Sequence, residues 1–204
     1  QTYKEISLLN SRPNKKDSNI VKHHLYGFIS VKNNFSTGDW LKLAIEKIED
    51  LWKSKKIPII VGGTGLYFKA LTDGLAKIPD IPTDVRAHTR KLHNEIGQEY
   101  FFKKLIILDP LAKSFLSPTD KQRSMRSYEV MMTTKRSLFK YIKETKSNYN
   151  KRVFKKIFIN IPKEILYKKI ENRVEKMFVD GAIKEVKKFY KMKVDGELSS
   201  NKII

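Results

Sequence analysis

Two stretches of this sequence combine residue types and spacings that can do chemistry. The first is residues 57–70, which read IPIIVGGTGLYFKA. Residues 57–61 are short, β-branched and uniformly apolar, which suits a strand buried on both faces of a parallel sheet. Gly62 and Gly63 are expected to turn the chain with positive φ and to let another molecule approach the backbone. Residues 65–72 then read as a short helix. Thr64 is thereby presented after a strand and before a helix N-terminus, a position where ligands and anions bind. GGTG on its own fits an ordinary tight strand-to-helix turn equally well.

The second stretch is residues 121–130, KQRSMRSYEV. On a helix Gln122 and Arg126 stand four apart, and Arg123 and Arg126 three apart, so the three are neighbours. A basic stripe beside a glutamine can grip phosphates and hydrogen-bond a base edge. The plainer reading is a solvated helix face. His23 and His24 are adjacent, so on an extended segment they point to opposite sides. Metal pairs need spacings such as four apart on a helix, and a packing role suits them better.

The elements that must position these groups follow from periodicity and punctuation. Residues 21–30 alternate well enough for a strand-like segment. Ser36 with Asp39 opens a helix as N-cap and first-turn acid. Its apolar stripe is Leu41, Ile45, Ile48 and Trp52, widened by Trp40, Ala44 and Leu51. Residues 73–83 form a connector with two prolines. Residues 84–97 and 99–108 read as two helices, and Asp109-Pro110 caps a third. Thr119 or Asp120 starts a fourth, through residue 132, and residues 137–146 continue helically. After a basic linker at 148–156, residues 157–161 (IFINI) read as another short strand. Helices follow over 163–179 and 182–190, separated by Asp180-Gly181. The expected fold class is α/β: a partial parallel-sheet core over 1–78 and 150–204, interrupted by an all-helical insertion over 79–149.

Composition sets outer bounds. A chain of 204 residues can bury a sizeable core. It has no cysteine, which excludes disulfides, cysteine zinc sites and thiol chemistry. No apolar run approaches a membrane span, and a cytoplasmic location is expected. The formal net charge of +20 favours a polyanionic partner through counterion release. Part of that excess reflects a Lys-, Ile- and Asn-rich composition of the kind AT-rich genomes encode. Residues 140–204 hold 18 Lys+Arg against 8 Asp+Glu, half of the whole excess.

Taken together, VGGTGLYFKAL, Asp73-Gly74-Leu75 and Asp84-Val85-Arg86 resemble the tRNA dimethylallyltransferases, also called tRNA isopentenyltransferases. Leu108-Asp109-Pro110, Ala112 and PTDKQRSMRSYEV look like that family's DP, A, P-x-D-x-x-R-x-x-R-A-x-E-V pattern. Arg123, Arg126, Glu129 and Val130 match it. Ser127 stands where the family has alanine, and Thr134 where glycine is usual. RVEKMFVDGAIKEV at 173–186, His23-His24-Leu25 and Ser36 also match, so the likeness runs in register through most of the chain.

The resemblance implies a P-loop-NTPase-like core and transfer of a dimethylallyl group from its diphosphate to N6 of the adenine 3′ of the anticodon in tRNA. It implies that Thr64 is catalytic and contacts the target adenine. It also implies that Gln1, Arg86, Gln122, Arg123, Ser124, Met125 and Arg126 contact tRNA, and that Arg173 lies near the diphosphate. The family's G-x-x-x-x-G-K-[ST] loop and the aspartate of its D-S-x-Q segment do not occur in these residues, and Gln1-Thr2-Tyr3 looks like the end of that segment. Mg²⁺ is expected with the P-loop segment, and no metal ligand is assigned here. Both ends look cut from a longer chain, so this polypeptide is expected to be inactive, or nearly so, on its own. The expected partners are a tRNA anticodon stem-loop and dimethylallyl diphosphate, with no membrane, and the chain is expected to be a monomer. Two other readings stay open: an adenylate isopentenyltransferase acting on a free nucleotide, and a basic RNA-binding remnant without chemistry.

Overall fold

The computed structural model describes residues 1–150, 153–196 and 198. Lys151 and Arg152 of the basic linker, and Asn201, Lys202, Ile203 and Ile204 of the tail, lie outside the described residues. The chain divides into two compact units, Gln1–Tyr67 with Phe154–Ile204, and Phe68–Val153.

The first unit contains α1 (Lys15–Ile20), α2 (Thr37–Lys53), α7 (Lys163–Val179) and α8 (Ala182–Lys191). The opening of α3 (Gly65–Asp73) also falls within it. Helix α2 forms where its punctuation predicts. Ser36 accepts the Asp39 amide and Asp39 accepts the Ser36 amide, a reciprocal capping box. Trp40, Leu41, Ala44 and Ile48 are its buried face, whereas Trp52 is exposed. Helix α1 was not expected from the sequence. It is one short, exposed segment held by a second capping box, Asn14 with Asp17. Tyr3, Ile6, Val31 and Phe189 form a small core that joins the N-terminal residues to α8.

The second unit holds α4 (Thr83–Leu108), a 3-10 turn at Pro110–Ser114, α5 (Lys121–Thr134) and α6 (Leu138–Lys143). The two helices read at 84–97 and 99–108 are present as one bent element, broken at Gly97 with φ 74° and ψ 168°. That left-handed backbone is open to glycine and strained for other residues. The bend brings Phe101, Phe102 and Leu105 onto Ala112, Leu116, Tyr128 and Phe139. A second cluster, Ile81, Val130 and Leu138, sits beside Ile78, Val85 and Tyr141.

The α/β class, with its P-loop-NTPase-like parallel sheet, is corrected by this structure. The architecture is helical, and among the described residues the β-type pairing is an isolated parallel bridge between Tyr3 and Ile29. Residues 57–61 and 157–161 form no strand. Ile57, Ile59 and Val61 are exposed, as are Ile157, Phe158 and Ile159. The reason is physical. A β-branched apolar run records the environment it suits, but a strand exists only where a neighbour takes up its N–H and C=O groups. Neither run has such a neighbour among the described residues. The strand-like reading of 21–30 likewise reduces to Ile29 in the single bridge. Positive φ occurs at Gly27, Gly74, Gly97 and Gly181 but not at Gly62 or Gly63, so the turn into α3 is made without left-handed glycine.

Candidate functional site

Thr64 sits at the head of α3, exposed to solvent. Its carbonyl accepts the Tyr67 amide at 3.0 Å, which starts the helix. Tyr67 stacks on Trp40 of α2 with ring centroids 4.3 Å apart and planes 8° from parallel. Such a pair contributes about 0.5–1.5 kcal/mol beyond the area it buries. The stack therefore fixes the first turn of α3 and, with it, the place from which Thr64 points. Burial raises the pKa of the Tyr67 hydroxyl above its ordinary value, with the Tyr3 hydroxyl adding to the shift.

Gln1 is held by its own loop. Its side-chain amide donates to the carbonyls of Asn10 at 2.8 Å and Ser11 at 3.0 Å. Arg12 closes the same loop by donating to the carbonyls of Tyr3 and Lys4. Arg173 lies exposed on α7, a helix that buries none of its residues. His23 packs edge-on against Tyr26 at 5.6 Å, as the packing reading expects. The pKa of His24 is lowered by burial and by the charges of Lys47, Lys22 and Lys56.

In the second unit Arg86 occupies the first turns of α4, half-buried. Its Nε is buried without a hydrogen-bond partner. The cluster on α5 divides by face. Gln122 and Arg123 are exposed, and Arg126 is half-buried. Ser124 is buried: its hydroxyl donates to the Asp120 carbonyl at 2.7 Å and receives Gln98 Nε2 at 3.4 Å. Met125 packs against the Phe101 core. So within residues 122–126 the structure brings Gln122, Arg123 and Arg126 to the accessible side, and turns Ser124 and Met125 inward. Thr64, Gln1 and Arg173 belong to the first unit; Arg86 and the α5 residues belong to the second.

The stripe is not purely basic. Asp120 caps α5 by accepting the Arg123 amide at 3.1 Å, and its carboxylate lies 3.6 Å from Arg123 Nε. Glu129 lies 3.4 Å from Arg126 Nη1. Acid, base, base and acid thus recur every third residue, at 120, 123, 126 and 129. Each such step turns about 60° around the helix axis. From Arg123 onward the ladder winds from solvent to core: side-chain exposure is 29% at Asp120, then falls from 74% at Arg123 through 39% at Arg126 to 11% at Glu129.

On the inner side of α5, Asp109 accepts Ser137 Oγ at 2.8 Å and Ser127 Oγ at 3.4 Å while only 2% exposed. The cap expected of Asp109 is absent, since its side chain makes no capping bond to the 3-10 turn. It anchors α5 and α6 instead. The sequence signal for this was Ser127, placed where alanine is usual. Glu185 on α8 is a second role missed in the sequence. Its carboxylate accepts the amides of Ser7, Leu8 and Leu9 at 2.6 to 3.1 Å and the Ser7 hydroxyl at 2.9 Å. Among the described residues no three His, Asp or Glu converge into a metal site. No step below runs through Mg²⁺. Nor, among them, is any helix long and apolar enough to cross a membrane.

The family model described as IPP transferase matches residues 1–204. A tRNA dimethylallyltransferase from Pelagibacter ubique (strain HTCC1062) is 48% identical over 204 residues, which is 100% of this chain and 65% of that protein. Among solved structures, a tRNA isopentenylpyrophosphate transferase from Bacillus halodurans is 26% identical, with a TM-score of 0.59, covering 98% of this chain and 61% of that one. A eukaryotic dimethylallyltransferase acting on tRNA has a TM-score of 0.75 at 21% identity, over 98% of this chain and 49% of that one, a likeness of fold alone. The chain thus spans 65% of the length of the curated relative and less of the two solved chains.

Proposed function

The chain belongs to the IPP transferase family, and from that premise we propose that it acts in the transfer of a dimethylallyl group to N6 of the adenine 3′ of the anticodon. In that reaction the N6 nitrogen forms a bond to the allylic carbon. The bond from that carbon to the diphosphate oxygen breaks, and N6 loses a proton. Thr64 orients the amine through its hydroxyl. Gln122, Arg123 and Arg126 engage the anticodon arm, with the arginines on phosphates and base edges. Arg86 adds a further RNA contact from α4, Gln1 one from the N-terminal loop, and Arg173 lies toward the diphosphate.

The observation that carries this reading is the accessibility of both clusters. Thr64 stands exposed at a helix start that the stacking of half-buried Tyr67 on buried Trp40 holds in place. The glutamine and arginines of α5 are turned outward while the serines and tyrosine of the same helix are turned in. The cationic helical unit is the reason to favour an RNA over a free nucleotide as the acceptor. Competition for the chain between a labelled anticodon stem-loop and AMP tests this. Displacement of the stem-loop only by other stem-loops is expected; equal displacement by AMP at similar concentration would overturn it.

A further inference from the structure

We propose that Glu129 is a positioning residue that aims Arg126, so that the two arginines of α5 do different work. The inference rests on the reading that α5 faces the anticodon arm, and it adds the division of labour within that helix.

Arg123 stands in solvent, 74% exposed, with 3.6 Å between its Nε and the half-buried carboxylate of Asp120. Pairs of that kind contribute little and let the arginine move. Arg123 is therefore a mobile cation that any phosphate can recruit. Arg126 is different. Its partner is almost out of solvent, and a buried carboxylate without a counter-charge is costly, so Glu129 retains Arg126. The contact uses Nη1 alone, which leaves the remaining N–H groups of the fork for a ligand. Glu129 itself cannot drift, because its neighbours Tyr128 and Val130 are locked in the two cores of the unit. Ser127, between Arg126 and that anchored pair, is tied to Asp109. Arg126 thus gives up part of its charge to its neighbour and gains direction. A directed guanidinium reads one point of an RNA; an undirected one reads charge.

The test measures binding of the chain to an anticodon stem-loop and to a scrambled hairpin of equal length, over a salt series. Glu129→Gln keeps the shape and removes the anchor. It is expected to bind the scrambled hairpin more tightly, to steepen the salt dependence by up to about one phosphate contact, and to lose about tenfold of its preference for the anticodon loop. Arg126→Lys keeps the charge and, on a half-exposed side chain, the fold. It is expected to lose the same preference without a steeper salt dependence, and adding Glu129→Gln to it should lower the preference no further. Arg123→Gln should weaken both RNAs alike. If the wild-type chain does not prefer the anticodon loop, the reading of α5 as an RNA face fails and the positioning role fails with it. If the wild type discriminates and Glu129→Gln or Arg126→Lys discriminates equally well, the positioning role alone is wrong.

Discussion

Replacing Glu185 with alanine is expected to unfasten α8 from the N-terminal residues and to destabilise the first unit. The carboxylate accepts three consecutive backbone amides and one hydroxyl from residues 7–9, far away in the sequence. Removing it leaves four donors without an acceptor. Each costs about 1–3 kcal/mol when fully buried. Ser7, Leu8 and Leu9 are only half-buried, so water recovers much of that. Taking the low end for the three amides gives about 3 kcal/mol, a large share of the 5–15 kcal/mol typical of a domain. Both tryptophans of the chain, Trp40 and Trp52, lie in this unit, so fluorescence-detected urea unfolding reports on it selectively.

The pH dependence of that contact has a definite sign. Burial raises the Glu185 pKa, but the amides of Leu9, Leu8 and Ser7 and the Ser7 hydroxyl outweigh it and hold the group below its ordinary 4.5. A depressed folded pKa means the unfolded chain binds the proton more readily. The stabilisation is therefore fully present above the unfolded value and is lost as pH falls through the folded one. Glu185→Gln should remove this acid-range dependence and fall between wild type and alanine in stability. A Glu185→Ala midpoint equal to that of wild type, with an unchanged acid limb, would refute the reasoning.

Thr64→Ala should leave thermal stability unchanged, because the side chain is exposed. On the proposed role it should erase a preference of about 2- to 12-fold for a loop bearing adenine over one bearing purine without the exocyclic amine, the worth of one ordinary hydrogen bond. Direct binding to the two loops checks this, and a retained preference would remove Thr64 from the site. Asp109→Ala should cost the second unit about 2–3 kcal/mol, since two serine hydroxyls lose their shared acceptor. That unit has no tryptophan, so the loss should appear in helical circular dichroism while the tryptophan transition stays in place.

The helices were legible because their signals are local. Ser36 with Asp39, Asp120 before α5, Ser137 before α6 and Asp180-Gly181 between α7 and α8 each act within one turn of where they stand. Helix α1 had the same kind of signal in Asn14 and Asp17, hidden beside a proline that read as loop. That the expected sheet does not form among the described residues was not legible for the opposite reason. Hydrophobic pattern reports an environment, whereas pairing needs a second segment at the right distance, and residues 57–61 and 157–161 carry no information about that segment. At the site, the outward residues of α5 followed from helical spacing. The burial of Glu129 did not, because it depends on which way α5 is rolled onto α4, and that is set by Phe101, Leu105 and Tyr128 packing across the bend at Gly97.

The distribution of charge bears on how such a chain would handle RNA. The ladder on α5, where the arginines stand, sums to zero: two acids, two bases. The excess lies elsewhere, half of it in residues 140–204. General attraction to a polyanion and directed contact are therefore assigned to different parts of the sequence. Counterion release scales with the number of phosphates neutralised, so affinity should fall steeply as salt rises. A guanidinium held beside a buried acid responds weakly to the same screening. The ratio of affinities for an anticodon loop and a scrambled hairpin should then stay nearly constant from low to physiological salt while both affinities drop by orders of magnitude. A ratio that collapses along with the affinities would mean that the neutral ladder contributes no discrimination and that bulk charge accounts for all of the binding.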